Sequence, residues 1–126
     1  MVVYQKRSKR KVTGGRYRAF SKKKLANVGS IPTLTKVGKR KAKPRAERGS
    51  AIKHILLSID KINVMNPKTK KSQVTEITTV VESPANRHFI RRNIITKGTI
   101  LETKLGKVKV TSRPGQEGTL NGVLIS

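Results

Sequence analysis

The 126-residue sequence has no cysteine and no tryptophan, only two Tyr, two Phe and two His, and only six Asp and Glu. The lack of cysteine excludes disulfides, thiolate zinc sites and cysteine nucleophiles together. His54 and His88 are too few for an all-histidine metal site. Asp60 is the single aspartate, and Glu47, Glu76, Glu82, Glu102 and Glu117 are scattered, so no acid–base pair or carboxylate magnesium site is suggested. Glycine-rich nucleotide loops, His-Glu-x-x-His and Gly-x-Ser-x-Gly are all missing. These absences predict a protein that is not an enzyme, with no cofactor, no metal and no small-molecule substrate. No stretch approaches the roughly 18 apolar residues of a membrane span. The first ten residues lack an apolar run behind their charges and do not read as a secretory signal. An intracellular chain with no membrane partner is expected.

What the sequence does have is positive charge. Thirty Lys and Arg give a formal net charge of +24 and a pI near 11.5. A compact chain so charged repels itself, so a polyanion, nucleic acid, is the expected partner. The composition changes near residue 49. Residues 1–49 hold seventeen Lys and Arg against Glu47 alone, and nine Leu, Ile, Val or Phe. That apolar share, about 18%, falls below the roughly 20% at which a highly charged segment can offset its ordering entropy. Residues 50–126 hold thirteen bases, five acids and 24 such apolar residues, enough for a small core.

The second half reads as strands. Ile52 to Val64 and Val74 to Val81 are aliphatic and β-branched, and Asn66-Pro67-Lys68-Thr69 between them fits a type I turn, which predicts one long hairpin. Ser83-Pro84 signals a short helix to about Asn93, with Ser83 as its cap. Strands follow at Thr99–Thr103 and Lys107–Thr111, the latter alternating with period two, and at Leu120–Ile125. Arg113-Pro114-Gly115-Gln116 fits a type II turn. The fold class expected is mainly β: a small antiparallel β-barrel with one short helix, preceded by a long, basic, extended N-terminal arm. Closure into a barrel removes the exposed edges of so small a sheet. The predicted division is a basic extension at 1–32 and a barrel domain at 33–126, whose residues 33–49 form a basic lead-in.

The candidate binding residues follow from charge clusters. The arm carries Lys6, Arg7, Lys9, Arg10 and Lys11, then Arg16 and Arg18, then Lys22, Lys23 and Lys24. A further run is Lys36, Lys39, Arg40, Lys41, Lys43, Arg45 and Arg48. Cations beside phosphates release condensed counterions, which gives strong, salt-sensitive binding with little sequence preference. Gly14 and Gly15 let backbone approach a sugar-phosphate strand. Tyr4, Tyr17 and Phe20, three of the four aromatic residues, lie within this arm, where unpaired bases can stack on them, which favours RNA loops over uniform duplex. On the predicted helix, Arg87, His88, Arg91 and Arg92 fall on one arc while Phe89 and Ile90 point away from its centre. Arg113 extends that face if the fold brings the two together. His54, in an apolar strand, reads as a core or edge residue.

The stretch Glu82-Ser-Pro-Ala-Asn-Arg-His-Phe-Ile-Arg-Arg-Asn-Ile-Ile-Thr-Lys-Gly98 resembles the signature region of the small-subunit ribosomal protein family numbered eight in archaea and eukaryotes, unrelated to the bacterial protein of that number. The likeness continues through Ile100–Gly106 and Val110–Gly118 to Asn121–Ile125, and Ser8-Lys-Arg-Lys-Val-Thr-Gly-Gly15 is similar to the family's basic opening. Departures fall at Arg48-Gly-Ser50 and Asn27–Pro32. The resemblance implies a structural constituent of the archaeal 30S subunit, ribosome-bound in the cytoplasm. Its implied partners are 16S rRNA and other small-subunit ribosomal proteins. The contrasting reading is a general nucleic-acid-coating or RNA-chaperone protein, which has less use for a separate folded barrel.

Overall fold

The computed structural model describes residues 3–18 and 20–125, apart from the side chain of Arg48. Two compact units divide between Pro32 and Thr33. The change of composition near residue 49 therefore does not mark the change of unit.

None of the described residues of the first unit is buried. Its ends meet where β1 (Val3–Tyr4) pairs antiparallel with β2 (Val28–Gly29), beside a 3₁₀ turn at Leu25–Asn27. Between them residues 9–17 fold into a tight turn. Lys11 N–H donates to the Gly15 carbonyl at 2.7 Å, Gly14 N–H to Lys11 at 3.0 Å, and Tyr17 N–H to Lys9 at 3.0 Å. Gly14 takes φ +83°, a conformation that costs other residues steric strain.

The second unit holds the barrel and a small sheet. The sheet is β3 (Lys36–Val37), β4 (Lys41–Ala46) and β5 (Ile52–Ile59), in the order β3-β5-β4, with β3 parallel and β4 antiparallel to β5. Thr35 anchors the segment ahead of β3. It is fully buried, its Oγ1 donates to the Leu56 carbonyl at 2.7 Å, and its own carbonyl accepts from Ile95 N–H at 2.8 Å. The five barrel strands are β6 (Lys61–Met65), β7 (Ser72–Glu82), β8 (Ile100–Thr103), β9 (Gly106–Val110) and β10 (Asn121–Leu124), closing in the order β10-β6-β7-β8-β9. Four seams are antiparallel, and β10 closes on β6 in parallel. A parallel seam needs a long crossover, and here it spans β7 to β9.

Leu56, Ile59, Ile62, Val64, Ile77, Val80, Ile95, Leu101, Val108, Val110 and Leu120 form the core, with Val37, Ile90 and Leu124 packed against it. Each fully buried aliphatic side chain contributes about 1.5–3 kcal/mol relative to exposure. In β6 the core side chains alternate strictly with Lys61, Asn63 and Met65 outside.

Local structure departs from the sequence expectation at four places. Ile52 to Val64 is two strands, not one, because burial changes phase: Ile55 and Leu56 are both buried, and Ile59 and Ile62 are three residues apart across Asp60. Only β6 pairs with β7. The Asn66 turn is wider than type I. Lys70 N–H donates to the Asn66 carbonyl at 2.9 Å, Asn66 Oδ1 accepts from Lys68 N–H at 3.0 Å, and Lys70 takes φ +54°. The helix is a single turn, α1 (His88–Arg91). Its N-cap residue, Arg87, makes no side-chain cap; Asn86, one residue earlier, accepts from His88 N–H through Oδ1 at 2.9 Å, while Ser83 is buried and caps nothing. Asn93 ends it at φ +48°, as a left-handed C-terminal residue does. The Arg113 turn is not type II, since Gly115 lacks a positive φ. Both Gln116 and Glu117 N–H donate to the Arg113 carbonyl at 2.9 Å, and the buried Pro114 turns its carbonyl onto Leu56 N–H at 2.9 Å.

Candidate nucleic-acid interface

Cations and rings interleave in the first unit. The Arg7 guanidinium lies 4.1 Å from the centre of the Tyr17 ring and 5.8 Å from that of Phe20. Lys6 Nζ stands 5.7 Å from Phe20, Lys11 Nζ 5.7 Å from Tyr17, and Lys23 Nζ 5.3 Å from Tyr4. Each is a cation–π contact, worth about 0.5–1 kcal/mol at an exposed site. Lys6 also donates to Ser21 Oγ at 2.9 Å, and Arg10 Nη1 to the Gly14 carbonyl at 2.8 Å. Residues 1–32 contain no Asp or Glu, so only rings, carbonyls and other neutral polar groups in this unit's sequence can offset its ten Lys and Arg. Arg10 and Arg16 pair across the turn as an isolated bridge, and Lys9, Arg18, Lys22 and Lys24 are exposed. Gly15, beside Gly14, is exposed too and closes the turn with its carbonyl.

In the second unit, β4 is the edge of its sheet and all six of its residues are exposed. Pro44 is tolerated there because an edge strand has one row of N–H groups unpaired. Lys43 and Arg45 share a face by the period of two, opposite Ile55 and Lys53, and Lys41 precedes them across a bulge. Lys39 and Arg40 lead into the strand. The Lys39 carbonyl accepts from Ser58 Oγ at 2.6 Å, and Arg40 Nη2 reaches the Gly118 carbonyl at 3.4 Å. Lys36 is exposed on β3 and bridges to Ile94. The side chain of Arg48 lies outside the described residues.

A third group sits at one end of the barrel. Arg87, His88, Arg91 and Arg92 are all exposed, while Phe89 and Ile90 are half-buried and Ile90 packs on the core. Arg113 follows β9, whose end at Val110 is tied to Gly98 and Thr99 just past α1. The loop bearing Arg113 and the segment bearing α1 therefore leave the same end of the barrel. His54 is exposed on β5 opposite Pro44.

The opposite end carries bases that the charge-cluster reading passed over. Lys68, Lys70 and Lys71 are exposed on the loop from β6 to β7, and Lys104 and Lys107 flank the turn from β8 to β9. The run Lys68-Thr-Lys70-Lys71 is legible in the sequence, but a turn reading hides it. Lys104 is bonded to Glu76, and that hydrogen bond and charge, with a smaller contribution from Lys61, hold the Glu76 carboxyl below the usual carboxylate range. A further ion pair joins Lys53 to Glu47 at 2.8 Å. The described residues contain no cluster of His, Asp and Glu able to hold a metal, and no helix among them is long and apolar enough to cross a membrane.

The sequence that builds this closed barrel, with its exposed cations, and the acid-free first unit has relatives among known proteins. A sequence model of the family described as ribosomal protein S8e matches residues 4–125. The chain is 46% identical over 125 residues to the small ribosomal subunit protein eS8 of Methanosphaera stadtmanae, covering 99% of each. It is 47% identical over 122 residues to that of Nanoarchaeum equitans, covering 97% of this chain and 96% of the relative. For Picrophilus torridus the identity is 41% over 125 residues, covering 99% and 100%. A match that takes in both units, arm and barrel together, makes this chain a member of the ribosomal protein S8e family.

Proposed function

We propose that this protein is a structural constituent of the small (30S) ribosomal subunit and binds 16S rRNA through its basic arm, the β4 edge and the α1 face. One observation carries the reading: the cations are exposed on separate scaffolds, and thirty Lys and Arg far outnumber the six Asp and Glu that could neutralise them. Phosphate is the anion that such spacing suits, because backbone contacts set the register and orientation of a protein on RNA. Residues 1–32 act as the RNA-binding extension, and residues 33–126 as the domain that fixes position. Family membership supports the assembly, since the relatives carry small ribosomal subunit names. The same reading makes the protein cytoplasmic and ribosome-bound, beside other small-subunit proteins.

Sedimentation of a native extract tests the assembly. Co-migration with the 30S particle is expected, whereas a general coating protein follows bulk nucleic acid. Truncation of residues 1–24 tests the arm. It removes ten Lys and Arg, so rRNA affinity falls steeply and the slope of log affinity against log salt flattens. The barrel keeps its thermal transition. An unchanged salt slope would remove the arm from the interface.

A further inference from the structure

The first unit contains an open cleft of about 370 Å³ whose lining includes Lys6, Arg7, Arg16, Tyr17, Phe20 and Ser21. Two features of it are unlike a plain basic patch. First, its rings are occupied unequally. Tyr17 has the Arg7 guanidinium stacked on it at 4.1 Å and is 41% exposed, whereas Phe20 is 83% exposed with both of its cations at the distant limit of cation–π range, 5.7 and 5.8 Å. Phe20 thus leaves most of its ring open to solvent. An exposed phenyl group on so hydrophilic a unit joins no buried residue among those described there. Second, the cations beside that ring are held in position. Lys6 is tied to Ser21 Oγ at 2.9 Å, and Arg7 is pinned by Tyr17. No carboxylate in residues 1–32 competes for them.

A flat apolar face flanked by fixed cations matches one ligand chemistry: an aromatic base joined to a phosphate. We infer that this cleft is a receptor for a single unpaired nucleotide of RNA, with the base stacked on Phe20 and its phosphate held by Lys6 and Arg7. The inference rests on the RNA-binding reading and sharpens it. The arm does more than neutralise charge, because it captures an extruded base at one defined point. Stacking of this kind tolerates any base, since every base has a π face. Selection is for strands whose bases are free, against paired duplex.

The test uses the full-length protein and two pentamers of equal charge, five adenosines and five abasic ribose phosphates. At one low salt concentration the adenosine pentamer should bind about tenfold tighter or more. Phe20→Leu should erase that difference, so that the adenosine pentamer binds no tighter than the abasic one. Phe20→Trp should preserve it, and it places the only tryptophan in a chain that has none. Its emission should be quenched by the adenosine pentamer and not by the abasic one. Equal affinity of wild type for both pentamers overturns the nucleotide receptor and leaves RNA binding through charge intact. Failure of both to bind at low salt overturns the RNA-binding reading itself. A preference for adenosine that survives Phe20→Leu moves the base away from Phe20 and overturns the assignment.

Discussion

A β-carbon on Gly122 would stand 2.5 Å from Val108 Cγ1 and 3.0 Å from the Lys109 carbonyl oxygen. Gly122 lies on β10, opposite Val110 on one side and Val64 on the other, where the parallel seam closes the barrel. Its φ is not positive, so close approach of β9, not backbone freedom, demands glycine. Gly122→Ala should therefore destabilise the barrel by about 1–3 kcal/mol through overpacking. Each kcal/mol lowers the thermal midpoint by about 4–8 °C for a domain of this size. Gly15→Ala is the control: its nearest neighbour is 3.7 Å away, in the first unit, and the barrel transition should not move. An unchanged midpoint for Gly122→Ala would mean that β9 and β10 are not packed as described.

The two units should also differ in protection. None of the first unit's described residues is buried, and they make few backbone bonds outside its short strands, so little opposes the roughly 1–2 kcal/mol of backbone entropy for each residue ordered. Ile62, Leu101 and Val108 are completely buried in the barrel. Amide exchange of the free protein should be fast through residues 3–32 and slow at those strands. Binding of folded rRNA should slow exchange in the first unit. Strong protection there without RNA would contradict a unit held by cation–π contacts and a few turns.

The sequence disclosed the barrel's strands better than their partners. The period-two pattern of Val108 and Val110 marks β9 because one face meets the core and the other meets water. The split between β5 and β6 was hidden, because a run such as Ile55-Leu56-Leu57 has no phase of its own to show where the chain changes sheet. Thr35 escaped notice for a similar reason. A threonine in a basic segment looks like surface, and only the carbonyl of Leu56, 21 residues away, makes it core. Ser83 drew a capping role through the Pro84 beside it, yet Asn86 holds the first turn. Arg87, His88, Arg91 and Arg92 are exposed although the helix is one turn and takes in only His88 and Arg91 of the four. Which cation lies on which ring in the arm depends on a turn at Gly14 that brings distant residues together, and spacing alone does not encode it.

Glu76 offers a pH readout on the barrel's outer face. The hydrogen bond from Lys104 favours its charged form, and Lys61 adds a smaller push the same way. A carboxyl depressed in the folded state stabilises the fold above its ordinary value, and that contribution is lost as pH falls through the folded value. Both side chains are largely exposed, at 72% and 58%, so the effect on the thermal midpoint should be slight. Carboxyl titration by NMR should place Glu76 below the ordinary carboxylate range, and Lys104→Ala should return it towards that range. Lys61→Ala should raise it less. If Lys104→Ala left Glu76 unmoved, the pair would not persist in solution.

The α1 face should carry location where the arm carries affinity. A unit none of whose described residues is buried can follow many phosphate paths, so its contacts say little about where on the RNA it lies. Arg91 and Arg92 project from a turn whose other side, through Ile90, is packed against the barrel core. Fixed spacing on a rigid base fits only certain grooves or junctions, since phosphate contacts set register and orientation. Replacing both arginines with Ala should weaken binding to cognate 16S rRNA by about tenfold or more, on the scale of one or two lost charge-assisted hydrogen bonds. Binding to an unrelated structured RNA should weaken less. Wild type and the double variant, titrated on both RNAs at one salt concentration, measure the difference directly. Arg113→Ala, at the same end of the barrel, should share the selectivity if it belongs to the same face. An equal loss on both RNAs would reduce α1 to further positive charge and would leave the nucleotide cleft at Phe20 as the element that senses RNA structure.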